Sequence, residues 1–275
     1  MLVRRRRLLI GTGVVGLVVL VIGGIYLWQN LVFNGEVRPI PGTPYHLVIQ
    51  SGVPETDLAL VTEGLMLADR YFTAQLGVKV AKPVEVRMAR TTPCIPFTSM
   101  ISSSTAIADE AEICVNTMSY AWTKIIPQNR RVGLSIIAHE NFHNLQGQLG
   151  CLPGPNDHEY AWWVEGSATY VGWHTLIEAG MITEAEVVEV MREWGGFDNN
   201  LQPLSSYDER IPGDPEYALA YRAIADLIER AGTPASLNQF CDQVGQGKNW
   251  RVAFEDVYKI AVDDFYSTFE QQRGA

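Results

Sequence analysis

Two histidines and a glutamate at fixed spacing are the part of the sequence best suited to chemistry. They occur as His139-Glu140-x-x-His143, within residues 128–149, which the residue pattern predicts to be a helix. Because a helix turns by about 100° per residue, His139 and His143 lie on one side and their imidazoles can bind one metal ion. Glu140 then reaches a water held on that metal, as a general base must. The alternative is a polar run on a solvated helix face, with both histidines incidental.

The motif lacks the third protein ligand that a hydrolytic zinc site needs beside one open position. The spacing H-E-x-x-H-x-x-G-x-x-H is excluded, because Gln146 and Leu149 stand where it requires glycine and histidine. The remaining candidates are His158, His174 and the acids of the next predicted helix, residues 159–179, above all Glu165.

Glu165 is the favoured third ligand. Gly166 and Ala168 have small side chains, which we expect to let this helix approach the motif helix closely. His174 lies nine residues further on, about half a turn out of phase, and would face away from a metal bound by Glu165. The alternative for Glu165 is a surface acid on an amphipathic helix.

The surrounding elements predict an α+β fold, with a small N-terminal sheet, the motif helix and a mainly helical C-terminal lobe. The predicted strands are 45–50, 84–88 and 111–115, and the predicted helices include 55–76, a helix opened by the Thr183–Glu186 capping box, and 216–231. The motif helix carries a broad apolar face, so we expect it to be buried in the core.

Composition indicates a globular protein with enough apolar material for a core, since 47% of the 275 residues are hydrophobic. The chain has 21 Lys and Arg against 31 Asp and Glu, and four of the basic residues are Arg4–Arg7, so the rest carries a net charge of −14. A nucleic-acid-binding surface is therefore not expected.

Arg4–Arg7 precede Leu8–Trp28, an uncharged segment that would be about 31 Å long as a helix and would cross a membrane. A cleaved signal peptide is the alternative, but the apolar run is long and no A-x-A-like cleavage site follows. We therefore predict residues 1–33 to be a cytoplasmic stub and single-pass anchor, 34–44 a linker, and 45–275 one domain outside the cytoplasm, at the cell membrane.

The four cysteines, Cys94, Cys114, Cys151 and Cys241, form an even set without metal-pair spacing. If Cys94 pairs with Cys114, across the loop between two predicted strands, Cys151 is left to pair with Cys241. Four reduced, buried cysteines are the alternative.

Together these motifs resemble the gluzincin metallopeptidases, and most of all their peptidase MA-like domains. The resemblance lies in His139-Glu140-x-x-His143 followed by W-x-x-E-G-x-A-x-Y, which begins at Trp162 and includes Glu165. It implies a thermolysin-like zincin fold. It also implies that zinc is bound by the two histidines and Glu165, and that Glu140 activates the water.

Tyr217 stands at the matching distance from Gly232 in a segment similar to the helix on which aminopeptidase-like gluzincins carry a tyrosine that stabilises the tetrahedral intermediate. Core packing is the alternative role. The sequence departs from the family in two ways, because it has no clear G-x-M-E-N strand and because Thr169 stands where thermolysin-like members have an outer-shell aspartate.

The expected function is therefore that of a membrane-anchored zinc metallopeptidase acting on a peptide or protein substrate, with Glu140 and Tyr217 as catalytic residues. Endopeptidase and exopeptidase activity remain open, as does the oligomeric state. The alternative function is a catalytically silent domain of the same fold that binds peptides or partners at the cell surface.

Overall fold

A small β-sheet followed by a predominantly helical region agrees with the predicted α+β class. A computed structural model describes residues 35–90, 106–108, 111–152 and 159–273, with only the backbone described at 106–108. All the strands in these ranges lie before residue 117, and the regular structure after it is helical.

The strands form one sheet in the order β1-β2-β3-β5-β4. Their bounds are β1 Glu36–Pro39, β2 Tyr45–Ile49, β3 Val84–Ala89, β4 Ala106–Ala108 and β5 Glu112–Asn116. The central strands β2, β3 and β5 are parallel, and the edge strands β1 and β4 pair antiparallel to β2 and β5. The three central strands are the three that the sequence predicts.

The prediction that residues 34–44 form a linker is wrong in part, because Glu36–Pro39 is β1 and pairs with β2 along its whole length. Prolines at 39, 41 and 44 favoured an irregular tether. An edge strand forms backbone hydrogen bonds on one side only. It therefore tolerates a proline, which has no backbone N–H group, at its last position. The strand β4 is also missing from the prediction, since three residues carry too little alternation to be recognised.

Helices supply the rest of the regular structure in the described ranges. They are α1 Glu55–Tyr71, α2 Arg130–Leu149, α3 Ala161–Glu178, α4 Glu184–Glu193, α5 Asp214–Ala231, α6 Ser236–Gly245, α7 Trp250–Tyr258 and α8 Val262–Arg273. A π-helical turn, Phe72–Leu76, extends α1 to Gly77, which has a left-handed φ of 70°. The predicted capping box is confirmed, because the Thr183 and Glu186 side chains bond each other's backbone N–H groups.

The motif helix α2 is buried by α1 on one side and α3 on another, as its apolar face predicts. Its fully or almost fully buried apolar residues are Leu134, Ile137, Ala138, Phe142 and Leu145. The approach of α1 depends on Gly64, since a Cβ there would lie 2.7 Å from the Ile137 side chain. Tight packing on both sides fixes the position of α2.

A disulfide joins Cys151, just after α2, to Cys241 in α6. This is one of the two bonds in the pairing considered from the sequence. Cys114 is also disulfide-bonded, whereas Cys94 lies outside the described residues. The segment after the motif helix is therefore linked covalently to the C-terminal helices.

The predicted membrane anchor, Leu8–Trp28, and the stub before it lie outside the described residues. Within the ranges that the structure covers, no helix is both long enough and apolar enough to cross a membrane.

Candidate metal centre

Three donor atoms from α2 and α3 converge at one place. The Nε2 atoms of His139 and His143 are 2.9 Å apart, and the Glu165 Oε2 atom lies 3.4 Å from the first and 3.3 Å from the second. In the part of the chain that the structure describes, this is the one group of three or more His, Cys, Asp or Glu side chains positioned to bind a metal ion. The three residues are the predicted ligands.

The two helices meet closely at the histidine end of the site. A Cβ added to Gly172 of α3 would lie 2.6 Å from the Ser135 carbonyl oxygen and 3.4 Å from the His139 Cβ. Only a residue without a side chain fits there. Gly172 therefore allows α3 to lie against α2, which brings Glu165, two turns earlier on α3, up to the histidines.

The glycine that the sequence suggested for this role does something else. Gly166 faces α5, where an added Cβ would lie 2.8 Å from the backbone of Ala220. The expectation that Gly166 brings α3 close to the motif helix is therefore wrong, although the ligand that it supported is in place. Gly166 brings α5, and with it Tyr217, close to α3.

The donor atoms fit a tetrahedral metal ion. Nitrogen and carboxylate ligands at about 2.0–2.2 Å from a tetrahedral centre are about 3.3–3.5 Å from one another. Two of the three separations are within this range, and the third is shorter by about 0.4 Å. Two imidazoles and one carboxylate are also a donor set that metal ions of this geometry accept.

The electrostatics of the group favour a cation at the same place. Burial alone lowers the pKa of His143, but the Glu165 carboxylate and more weakly Glu140 raise it to about 9. Burial would raise the pKa of Glu165, yet the two histidines hold it far below its usual value. A proton on the histidine nitrogen and a metal ion would thus compete for one site.

Glu140 lies beside the ligands and is not one of them. Its side chain is buried, and burial raises the pKa of its carboxyl group while the two neighbouring histidines oppose the increase. The carboxylate lines the same cavity as His139. This is where the sequence places the general base.

Tyr217 is brought to the site by the first turn of α5. Its ring centroid lies 6.1 Å from that of His139, and its hydroxyl group lies near the Glu165 carboxylate. Burial, together with the Glu165 and Glu140 carboxylates, raises the pKa of Tyr217 well above its usual value, so the hydroxyl keeps its proton. The structure therefore places this residue within reach of the proposed ligands.

His174, another candidate ligand, is not at the site. His174 stacks on Tyr170, with ring centroids 3.6 Å apart, and its Nε2 atom lies 3.1 Å from the Tyr221 hydroxyl. Burial lowers the pKa of His174 to about 4. His158 lies outside the described residues.

Two residues that the sequence did not assign contact the outer nitrogens of the histidines. Gln146 Oε1 lies 2.7 Å from His143 Nδ1, and Thr169 Oγ1 lies 3.4 Å from His139 Nδ1. Each stands one helical turn after a proposed ligand, Gln146 after His143 and Thr169 after Glu165. That spacing is the signal by which the sequence could have pointed to them.

A cavity of about 610 Å³ opens onto the site, and His139, Glu140, Thr169 and Tyr217 line it. Most of the remaining wall is apolar: Ile125, Val132, Ile136, Trp173, Trp194 and Ile211. The cavity is large enough to receive a side chain of a bound molecule.

Comparisons of the chain with protein-family models and with curated protein sequences find no match.

Proposed function

We propose that this protein is a zinc metallopeptidase of the gluzincin type, with a thermolysin-like zincin fold. The observation that carries the proposal is the convergence of His139, His143 and Glu165, with Glu140 beside them on the wall of an open cavity. Three protein ligands facing a cavity are typical of a hydrolytic zinc site, whereas structural zinc sites are closed by four.

The residues support hydrolysis of a peptide bond. Zinc supplies a Lewis acid that polarises the carbonyl group and lowers the pKa of water. Glu140 is the general base, which accepts a proton from the attacking water and returns it to the nitrogen of the leaving amine. The Tyr217 hydroxyl donates a hydrogen bond to the oxygen that becomes negatively charged.

The apolar wall of the cavity supports a substrate with a hydrophobic side chain next to the bond that is cut. Ile136 stands one turn before Glu140 on α2, and Trp173 and Trp194 line the same cavity. Apolar groups there bind an apolar side chain and exclude water from around it.

Residues 1–33 hold the domain at the outer face of the membrane in this proposal. Protease added outside intact cells should therefore digest the domain. A domain that stays intact under this treatment would contradict the topology.

The decisive test compares Glu140→Gln with the parent in purified full-length protein. We expect one zinc per chain in both and a fall in the peptide-cleavage rate of the variant by about 100- to 10,000-fold, because the base is lost while the ligands remain. Glu193→Gln, at an exposed position on α4, is the matched control and should behave as the parent.

Two results would oppose the proposal. An active Glu140→Gln protein would exclude this mechanism. A parent protein that binds zinc but cleaves no peptide in a broad mixture would favour the alternative, a silent domain that binds peptides or partners.

A further inference from the structure

Gln146 lies fully buried where α2 and α3 meet. Its Oε1 atom is 2.7 Å from His143 Nδ1, and its Nε2 atom is 3.0 Å from Ser167 Oγ and 3.3 Å from the Val164 carbonyl oxygen. One side chain therefore contacts a proposed ligand on α2 and the backbone of α3 next to Glu165.

These contacts decide which way the amide group points. The Val164 carbonyl oxygen can only accept a hydrogen bond, so the group that faces it must be the NH₂ of Gln146. The amide oxygen then faces His143. An amide oxygen also only accepts, so the Nδ1 atom of His143 must carry a hydrogen and donate it.

The position of that hydrogen decides which nitrogen binds the metal. With Nδ1 protonated, the neutral imidazole of His143 has its lone pair on Nε2. Nε2 is the atom that faces His139 Nε2 at 2.9 Å and Glu165 Oε2 at 3.3 Å. Gln146 thus selects the form of the ring that presents a lone pair to the metal.

Thr169 has the same relation to the other histidine, over a longer distance. Its hydroxyl group donates to the Glu165 carbonyl oxygen at 2.8 Å, so its oxygen is free to accept from His139 Nδ1 at 3.4 Å. Both outer acceptors are neutral. A carboxylate in such a place would add negative charge to the ligand and strengthen its bond to the metal.

We propose that Gln146 is a positioning residue for the metal, which holds His143 in the form with a free Nε2 and ties α3 to α2 at the level of Glu165. The inference rests on the proposed metal site and adds the group that makes one of its ligands competent. Groups that orient a metal-binding histidine typically contribute 10- to 100-fold to metal affinity.

The test measures zinc affinity and not activity. Metal-free full-length protein is titrated with zinc in competition with a chromophoric chelator, for the parent, Gln146→Met, Gln146→Glu and Gln148→Met. Methionine has nearly the volume of glutamine but no acceptor, so we expect Gln146→Met to weaken zinc binding by about 10- to 100-fold. Glutamate restores an acceptor for His143 and should bind zinc far more tightly than Gln146→Met.

Gln148→Met is the matched control. Gln148 is on the same helix, but its Oε1 atom accepts from the backbone N–H groups of Ala81 and Lys82 and does not contact the ligands. Its loss should leave the zinc affinity unchanged, even if it changes the urea midpoint.

Each outcome separates this inference from the proposed function. Gln146→Met binding zinc as tightly as the parent would overturn the role of Gln146, and so would Gln146→Glu falling as far as Gln146→Met. A parent that binds no zinc would overturn both. A parent that binds zinc in the expected order of variants but cleaves no peptide would support the positioning role and contradict only the peptidase.

Discussion

Helix α3 carries two ionisable clusters that use similar residues in opposite ways. In the first, Glu165 lies against His143 and near the hydroxyl group of Tyr217 of α5. In the second, nine residues further along α3, His174 lies against Tyr221 of the same helix α5. The first cluster opens onto a cavity, whereas the second packs between helices.

The pKa values of the two buried histidines shift in opposite directions, although burial alone would lower both. His143 has a pKa raised to about 9, because the Glu165 carboxylate outweighs the effect of burial, while burial lowers the pKa of His174 to about 4. His174 also has an acid nearby, but Glu184 Oε1 is 3.7 Å away and its side chain is 59% exposed, against 27% for Glu165. A carboxylate buried beside a histidine raises the pKa of that histidine and favours a cation there, whereas a solvent-exposed carboxylate does not.

The largest expected effect is on metal content. The test compares loss of the Glu165 carboxylate with loss of the Glu184 carboxylate. Glu165→Ala should lose stoichiometric zinc, because it removes one of three ligands. We expect the loss of affinity to exceed the 10- to 100-fold that an outer group contributes. Metal analysis after dialysis against a weak chelator measures it.

Glu184→Ala is the control for that measurement, since Glu184 adjoins a histidine without sharing a metal site. It should keep one zinc per chain. Equal zinc in both variants would mean that the buried carboxylate is not what distinguishes the clusters.

The second expected effect compares the two tyrosines of α5. Tyr217→Phe should lower kcat for peptide cleavage by about 100- to 1,000-fold with unchanged zinc content, because one hydrogen bond to the oxyanion is lost. Tyr221→Phe, one turn later, should leave kcat unchanged and cost about 1 kcal/mol of stability through its lost contact with His174. Steady-state kinetics and urea unfolding measure both variants.

A larger loss of kcat in Tyr221→Phe than in Tyr217→Phe would show that α5 affects activity through its packing. If Tyr217→Phe kept full kcat, Tyr217 would be a core residue of α5, as the alternative interpretation of the sequence has it.

The proposed metal ligands could be predicted because helical geometry fixes the relative directions of side chains within single elements. The four-residue step of His139 and His143 sets their common direction, and helical phase separates Glu165 from His174 on α3. Gln146 and Thr169 were missed for a physical reason. Every ligand on a helix has neighbours one turn away, and only the crossing of α2 and α3 decides whether their polar atoms reach an imidazole ring.

The same limit explains the errors in the fold. Gly166 was correctly recognised as a site of close packing, but a small residue does not say which helix approaches it, and α5 does so. The edge strand β1 was missed because prolines at 39, 41 and 44 are typical of an irregular linker. A short edge strand is specified by its partner more than by its own pattern.

The third prediction concerns pH and tests the second cluster alone. The folded pKa of His174 is about 4, against about 6.5 unfolded. Between these values the unfolded chain binds more protons, so stability falls as the pH drops from about 6.5 to about 4. His174→Gln cannot titrate, so from pH 7 to pH 5 the stability of the parent should fall by about 2 kcal/mol more than that of the variant.

Urea unfolding of both proteins at the two pH values measures that difference. His174 is faced by Tyr170 on α3, Tyr221 on α5 and Glu184 on α4, and these groups are the same in both proteins. An identical pH dependence in parent and variant would mean that His174 binds a proton as readily in the folded state as in the unfolded chain.

The smallest expected effect is on the helix that presents Glu184. Thr183 caps α4, and its side chain accepts a hydrogen bond from the Glu186 N–H group. Thr183→Ala should cost about 1 kcal/mol of stability in urea unfolding, because that N–H group is left without its partner. Zinc affinity should not change, since α4 supplies no ligand. A loss of zinc in Thr183→Ala would mean that the two clusters of α3 are coupled, and the separation between them would no longer hold.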